Sequence, residues 1–114
     1  MMLAQQHCTH GAPALDAAEL ASLMAELPQW QLEGSGILRA YEFRNYHETI
    51  AFVNALAWMI HAQDHHPELT VRYRHCIVAY TTHSAGNAVS LNDLICAAKA
   101  DAMYEERTRA GAQE

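Results

Sequence analysis

The chain of 114 residues has a mass of 12.7 kDa, which suits one domain with one hydrophobic core. Thirteen acidic residues against seven Lys and Arg give a net charge of −6 at pH 7, which disfavours nucleic-acid binding through bulk charge. Hydrophobic residues make up 51% of the sequence and charged residues 18%, a balance that argues against a globally disordered chain.

Cysteine usage and hydropathy indicate the compartment. Cys8, Cys76 and Cys96 are widely spaced and form no CxxC pair, so they favour reduced thiols in the cytosol over a disulfide framework. No apolar run approaches the roughly 20 residues that span a bilayer, and the first residues lack the features of a signal peptide. We therefore expect a cytoplasmic protein that does not bind membranes.

The beginning of the chain shows no periodicity before the first helix. We predict a flexible N-terminal tail over residues 1–14, one domain over 15–108 and a C-terminal tail over 109–114. The first helix is predicted to begin after Asp16, which forms a capping-box pattern with Glu19. Its apolar residues follow a helical period at Leu20, Leu23, Met24 and Leu27.

Two strands and a second helix follow. Trp30 and Leu32 indicate a short strand, and a turn over 34–36 leads into a second strand. The residues predicted to alternate in that strand are Ile37, Arg39, Tyr41 and Phe43, with the two aromatic residues facing inward. The second helix begins after Asn45 and ends before Pro67. Its predicted buried stripe is Ile50, Val53, Leu56, Ala57 and Ile60.

Two more strands and a third helix complete the pattern. Alternation predicts a third strand with Leu69, Val71 and Tyr73 on its buried side. The fourth strand should direct inward Cys76, Val78 and Tyr80. The third helix begins at Ser90 with Asp93 three residues later, and its predicted stripe is Leu91, Leu94, Ile95, Ala98 and Ala102. The order predicts an α+β fold, a four-stranded antiparallel sheet with three helices packed on one face.

Histidines at two distant places indicate the chemistry. His61, Asp64 and His65 are spaced i, i+3 and i+4, so we expect them to share one face at the end of the second helix. His66 follows directly, and His83 comes where the fourth strand turns. Imidazole exchanges protons near neutrality, and a carboxylate such as Asp64 would fix its tautomer and raise its pKa. The absence of an activated Ser or Cys favours proton transfer over covalent catalysis.

A metal site and a plain surface role are the alternatives for these histidines. His61 and His65 have the spacing of a helical zinc pair, to which His66 or His83 could add a third ligand. The chain has no HExxH motif, and a histidine at a helix end is commonly a surface group. A further set at residues 7–10 is more simply explained by disorder of the tail. We therefore predict no metal site.

Three segments, in order and near family spacing, carry a resemblance to a known family. Residues 41–46 look like its aromatic strand, 64–68 match its HHP signature, and 81–86 with 92–99 resemble its second signature and last helix. The sequence thereby resembles the pterin-4a-carbinolamine dehydratases, also called 4a-hydroxytetrahydrobiopterin dehydratases. The resemblance implies the fold already predicted.

The resemblance also implies an activity. The protein would be a hydro-lyase that converts 4a-hydroxytetrahydropterin to quinonoid dihydropterin and water, recycling the pterin of aromatic amino acid hydroxylases. An acid gives a proton to the leaving 4a-hydroxyl, and a base takes the proton from N5. Because no redox change occurs, no nicotinamide, flavin or metal cofactor is expected, and the pterin is the substrate.

The site residues are carried over by position. The resemblance implies that His65 and His83 are the acid and base, and that His66 completes the catalytic set by orienting the pterin. Asp64 would orient a neighbouring histidine. The substrate-binding set is His61, Asp64, His65, His66, Pro67, Thr81, Thr82, His83 and Ser84.

The sequence departs from the family pattern at three places. His61 stands where many members have Glu, Leu69 stands where Trp is frequent, and the loop after Gly86 is one residue longer. These departures motivate an alternative, a non-catalytic binding or regulatory module like the family's dimerisation cofactors of a transcription factor. The family also forms dimers and tetramers, so a homo-oligomer is expected, with a candidate contact on the outer sheet face at Ile77, Ala79 and Thr81.

Overall fold

The structure, a computed structural model, describes residues 2–112 and their side chains up to Arg107. Its helices are α1 (Ala17–Met24), α2 (Tyr46–Gln63) and α3 (Leu91–Ala112), and its strands are β1 (Gln31–Glu33), β2 (Gly36–Glu42), β3 (Glu68–Val71) and β4 (His75–Tyr80). All neighbouring strands pair antiparallel, in the order β1-β2-β4-β3. The predicted α+β fold is confirmed. Within residues 2–112, no helix is long and apolar enough to cross a membrane.

Side-chain caps fix where the helices begin. Glu19 N donates to Asp16 Oδ1 over 2.8 Å, and Asp16 N donates back to the Glu19 carboxylate, which completes the predicted capping box of α1. Asn45 accepts from the backbone of Glu48 over 2.9 Å at the start of α2. These short polar signals are local, so the sequence alone locates both helix starts.

The hydrophobic core lies between one sheet face and the helices. The inward residues predicted for the second and fourth strands are buried: Tyr41, Phe43, Cys76, Val78 and Tyr80. Ile37 is buried with them. Aromatic rings fill the centre, with ring centroids 4.7 Å apart for Tyr41 and Phe52 and 4.9 Å apart for Tyr41 and Tyr104. Such tilted pairs stabilise a core beyond their buried area.

The buried stripe of α2 is rotated from its predicted position. Ala57 is exposed, whereas Thr49 and Phe52 are buried together with Leu56. Thr49 was missed because it is polar, and its hydroxyl is satisfied by the carbonyl of Tyr73 at 2.9 Å. A hydrogen-bonded threonine can therefore hold a core position that a hydrophobic pattern does not identify.

Three further buried positions were predicted wrongly, of which Val71 on β3 is 40% exposed. Ala102 is exposed on α3, and small residues before it are buried instead, at Cys96, Ala97 and Ala100. β3 ends at Val71, so Tyr73 lies outside the strand, 67% exposed, and stacks on Tyr46 with centroids 5.9 Å apart. These errors arise where a helix or strand leaves the core but the alternation of apolar and polar residues in its sequence continues.

The segment before α1 differs from the loose tail expected. Leu3 is buried in the hydrophobic core. Two hydrogen bonds join the backbone of Thr9 to the side chain of Asn92. Thr9 N donates to Asn92 Oδ1 over 3.0 Å, and Asn92 Nδ2 donates to the carbonyl of Thr9 over 2.8 Å. We call residues 2–14 the N-terminal segment. Its contacts use single side chains and backbone groups, so they leave no periodicity in the sequence.

The other predicted tail begins inside a helix. α3 continues through Ala112, so residues 109–112 are helical. Residues 113 and 114, like Met1, lie outside the described residues.

One carboxylate ties the core to α3. Asp101 Oδ1 accepts from Trp30 Nε1 at 3.0 Å, Arg39 Nη1 at 2.7 Å and the hydroxyl of Tyr41 at 2.6 Å. The side chains of Arg39 and Asp101 are 17% and 19% exposed, so water competes little for this ion pair. Burial and the adjacent Asp101 carboxylate together raise the pKa of Tyr41, which stays a hydrogen-bond donor.

Replacing Asp101 with Asn is expected to lower the free energy of unfolding by about 2 kcal/mol, because bonds to a charged acceptor are the strongest of their kind. Urea unfolding followed by circular dichroism measures the change. The control is Glu105→Gln on the same helix, where an exposed side chain should shift stability by less than about 0.5 kcal/mol. Equal unfolding midpoints for the two variants would contradict the role given to Asp101.

Candidate functional site

The end of α2 positions residues 64–67, which we call the first histidine segment. The helix stops at Gln63, and Asp64 has a left-handed backbone with φ of 50°, so the chain turns sharply before His65. The shared helical face predicted for His61, Asp64 and His65 is therefore wrong, since only His61 lies on the helix. His61 and Asp64 are both exposed.

His65 is held by a buried carboxylate from α3. Its Nε2 donates to Asp93 Oδ1 over 2.6 Å, and its ring stacks on Tyr80 with centroids 5.2 Å apart. The other carboxylate oxygen of Asp93 accepts from the Thr82 hydroxyl at 2.8 Å and from Ser90 N at 2.9 Å. One fully buried side chain thereby joins the α2–β3 turn, the end of β4 and the start of α3.

Asp93, rather than Asp64, orients His65. The sequence shows Asp93 only as the third residue of α3, where it was interpreted as part of a helix cap. That cap exists through Ser90, but the second oxygen reaches a histidine 28 residues away. No local pattern marks such a long-range partner, so Asp93 was missed as a site residue.

Asp93 also changes the acid strength of His65. Burial alone would lower the pKa of His65, but the hydrogen bond to Asp93 and the charge of Asp93 together raise it. The protonated form is thus favoured relative to a free imidazole of pKa about 6.5. Because the folded pKa exceeds the unfolded one, this pair stabilises the fold below about pH 6.5, and its contribution is lost as pH rises through the folded pKa.

His83 lies on the second histidine segment and is exposed. It opens a short 3₁₀ turn, and its Nδ1 lies 2.7 Å from Asn87 Oδ1. Because the amide oxygen only accepts, His83 Nδ1 carries the hydrogen and Nε2 keeps a free lone pair. Gly86 and Asn87 both adopt left-handed backbones, with φ of 78° and 57°, which brings the Asn87 side chain back to His83.

Two neighbouring hollows receive the predicted site residues. The histidine cleft, of about 390 Å³, is lined by His66, Pro67, Thr81 and His83 together with residues of β2 and β4. The N-terminal hollow, of about 350 Å³, is lined by Asp64, His65, Thr82 and Ser84 and by residues 8–11. His61 is not among the residues that line either hollow.

The two hollows divide the catalytic set predicted from the sequence. His66 and His83 share the histidine cleft, whereas His65 faces the N-terminal hollow. Both histidine segments, 64–67 and 81–84, contribute to both hollows, so the two hollows adjoin along these segments. Each hollow has the volume of a small-molecule site.

The metal alternative has little geometric support. Because α2 ends at Gln63, His61 and His65 do not have the helical spacing of a zinc pair. Among the residues whose placement the structure describes, no three His, Cys, Asp or Glu side chains come together as a metal-binding group.

Replacing Asp93 with Asn is expected to lower the pKa of His65, because the charge and the strong acceptor that favour its protonated form are removed. The measurement is an NMR titration of the His65 ring protons. Asp64→Asn serves as the matched control, since Asp64 is exposed and should leave the titration unchanged. An unchanged His65 titration in a folded Asp93→Asn variant would contradict the assignment.

Comparison with known proteins gives one consistent family. A family model described as Pterin 4 alpha carbinolamine dehydratase matches residues 13–103. A protein of Chromobacterium violaceum is 44% identical over 106 residues, covering 91% of this chain and 97% of its own. A protein of Nitrosomonas eutropha is 50% identical over 95 residues, covering 82% and 83%. Their names provisionally assign both to the pterin-4-alpha-carbinolamine dehydratases.

A solved structure supports the same relation. The crystal structure of a transcriptional coactivator/pterin dehydratase from Brucella melitensis is similar to this chain, with a TM-score of 0.75 and 29% identity. The match covers 80% of this chain and 98% of that one. The matched family region includes both histidine segments and Asp93 but not Cys8.

Proposed function

Because this chain belongs to the pterin 4 alpha carbinolamine dehydratase family and is a hydro-lyase of that class, we propose that its two histidine segments dehydrate 4a-hydroxytetrahydropterin. The family resemblance and the enzyme class predicted from the sequence are confirmed. A small-molecule pterin substrate follows from the family. The roles of individual residues are the proposal, as is the recycling of pterin for aromatic hydroxylases.

His65 is the proposed acid. When protonated, it donates Nε2–H to Asp93 and keeps a second N–H, on Nδ1, for transfer. Its raised pKa increases the protonated fraction near neutral pH. This proton passes to the 4a-hydroxyl, and the C4a–O bond breaks as water leaves.

His83 is the proposed base. Its hydrogen bond to Asn87 uses Nδ1, so the lone pair of Nε2 takes no part in that bond. That lone pair takes the proton from N5 of the pterin as the C4a=N5 double bond forms. His65 ends neutral and His83 ends protonated, and exchange with water returns both to their starting states. No electrons are exchanged with an outside group, so the proposed reaction needs no cofactor.

Four other residues of the predicted set serve binding in this proposal. His66 and Pro67 line the histidine cleft beside His83 and would orient the flat ring. The Thr81 hydroxyl donates to the carbonyl of Ser35 over 2.7 Å. Thr81 would therefore contact the substrate through its backbone and its methyl group. Asp64 lines the N-terminal hollow with His65 and would hold a polar edge of the pterin.

The observation that carries the proposal is the arrangement of the two histidine segments, along which the two hollows adjoin. It brings an imidazole with a raised pKa and an imidazole with a free lone pair onto adjacent segments, from chain positions 18 residues apart. The dehydration requires one group that gives a proton and a second group that takes one.

The variant His83→Ala is expected to lower turnover by at least about 100-fold, the usual contribution of one acid or base. His65→Ala should do the same. A spectrophotometric assay of 4a-carbinolamine dehydration measures both. His83 is exposed, so its variant should keep the circular dichroism spectrum of the wild type.

The matched control for that assay is His47→Ala. His47 is an exposed histidine on the first turn of α2, at the opposite end of the helix from the histidine segments, and its loss should leave turnover unchanged. Wild-type turnover in a folded His83→Ala variant would contradict the proposed base.

A binding experiment tests whether the pterin contacts both hollows. His66→Ala removes a side chain of the histidine cleft, and Asp64→Asn changes one of the N-terminal hollow. Each is expected to weaken binding of 7,8-dihydrobiopterin about 10-fold in calorimetry, which corresponds to the loss of one good hydrogen bond. An effect of only one variant would assign the pterin to that hollow alone.

The proposal extends to the setting of the enzyme. Three unpaired cysteines support a cytoplasmic location. Leu38 and Ala79 pair on the outer sheet face beside Ala40 and Ile77, and these apolar side chains are partly exposed. None of these four residues belongs to the hydrophobic core. Their apolar surface is therefore left for a neighbouring copy of the chain, which supports a homodimer or homotetramer.

A regulatory module without useful catalysis is the second candidate. The observation that favours it is the description of the Brucella melitensis relative, which names a transcriptional coactivator as well as a dehydratase. The dehydratase assay separates the two functions. Turnover that depends on His65 and His83 supports the enzyme, and the absence of turnover in folded wild-type protein supports the module.

A further inference from the structure

Two thiols from opposite ends of the chain meet beside the N-terminal hollow. The Sγ atoms of Cys8 and Cys96 are 3.5 Å apart, and 88 residues separate them in sequence. Cys96 is fully buried in α3, whereas Cys8 is partly exposed and lines the hollow. One thiol of the pair is therefore open to a small reagent, and the other can be reached only through the first.

The backbone around Cys8 is held in place by α2 and α3. Cys8 N donates to Gln63 Oε1 over 2.8 Å, and its neighbour Thr9 forms two hydrogen bonds with Asn92. Since both flanks are fixed, the proximity of the sulfurs is a property of the fold. A disulfide requires the sulfurs to approach to about 2.05 Å, which is about 1.5 Å closer than they are here.

We propose that Cys8 and Cys96 form a peroxide-reactive dithiol, in which a hydroperoxide produces a disulfide that fastens the N-terminal segment to α3. The proposal does not rest on the proposed dehydration, although Cys8 and His65 line the same hollow. The disulfide adds a covalent bond across a boundary that otherwise depends on hydrogen bonds and on the burial of Leu3.

The chemistry balances with the hydroperoxide as the oxidant. The Cys8 thiolate attacks the peroxide oxygen, the O–O bond breaks, and the products are a sulfenic acid on Cys8 and an alcohol, or water from hydrogen peroxide. The Cys96 thiol then attacks the Cys8 sulfur, the S–O bond breaks, and water leaves. Two thiols lose two electrons and two protons, and the peroxide gains them.

The surroundings give the two thiols different roles. The hydrogen bond from Cys96 lowers the pKa of Cys8, and the charges of His65 and Lys99 lower it further, although burial opposes them. The same contact and burial raise the pKa of Cys96. Cys8 is thus the thiol that attacks the peroxide, and Cys96 is the thiol that resolves the sulfenic acid.

The third cysteine provides an internal control. Cys76 lies on β4 in the hydrophobic core, where burial raises its pKa to about 11, so it should stay reduced.

The two thiols of the pair differ in their relation to the family match over residues 13–103. Cys8 lies outside it, whereas Cys96 lies inside it. One thiol of the pair therefore lies outside the region that the family model matches.

The test treats the full-length protein with hydrogen peroxide, then denatures it and alkylates the remaining thiols. The expected result is a fall from three alkylated cysteines to one, Cys76, and a peptide map with Cys8 joined to Cys96. Subsequent reduction should restore all three. Alkylation of both Cys8 and Cys96 after peroxide treatment would overturn the proposal.

Three variants sharpen the result. Cys76→Ser should lose two thiols to oxidation as the wild type does, and Cys8→Ser should form no internal disulfide. Cys96→Ala should accumulate a sulfenic acid on Cys8, which dimedone traps. A dimedone adduct on Cys96 in Cys8→Ser, or an intermolecular disulfide in place of the internal one, would contradict the proposed order of reaction.

Discussion

The buried carboxylate of Asp93 is the constraint on which the site depends. A charge with no exposed surface must be compensated by polar partners, and here they come from His65, Thr82 and Ser90. Each partner belongs to a different part of the chain, so satisfying one carboxylate positions both histidine segments and the start of α3. The fold and the chemistry of the site therefore share one electrostatic requirement, which explains why a charge is retained where an apolar residue would be easier to bury.

Much of the fold could be predicted because its signals are local. The caps at Asp16, Asn45 and Ser90 lie within three residues of the groups that they bind, and strand alternation depends on nearest neighbours. The site was predicted in part. The resemblance identified the histidines, but the helical spacing of His61 and His65 was misleading, because a left-handed residue at Asp64 ends the helix early. Asp93 could not be assigned, since its contact with His65 is set by tertiary packing. Asn87 was missed although its partner His83 is only four residues away, because the left-handed backbone that brings them together was not predicted.

The division of the histidines between two hollows follows from that early end of α2. In an extended chain, successive side chains point to opposite sides, so His65 and His66 face different surfaces once the helix has stopped. One side is enclosed by α3 and stabilises charge, and the other is open at the start of β2 and the end of β4. A single short turn thus provides both a sheltered imidazole, whose protonation the protein controls, and an accessible one.

The N-terminal segment has a consequence for how this protein is delimited. The match to the family model begins at residue 13, yet residues 2–12 supply a core leucine and one wall of a hollow. A boundary drawn from shared ancestry would therefore cut through a continuous packed unit. Shortened versions and amino-terminal fusions both act on that wall, even where they leave the whole family match intact.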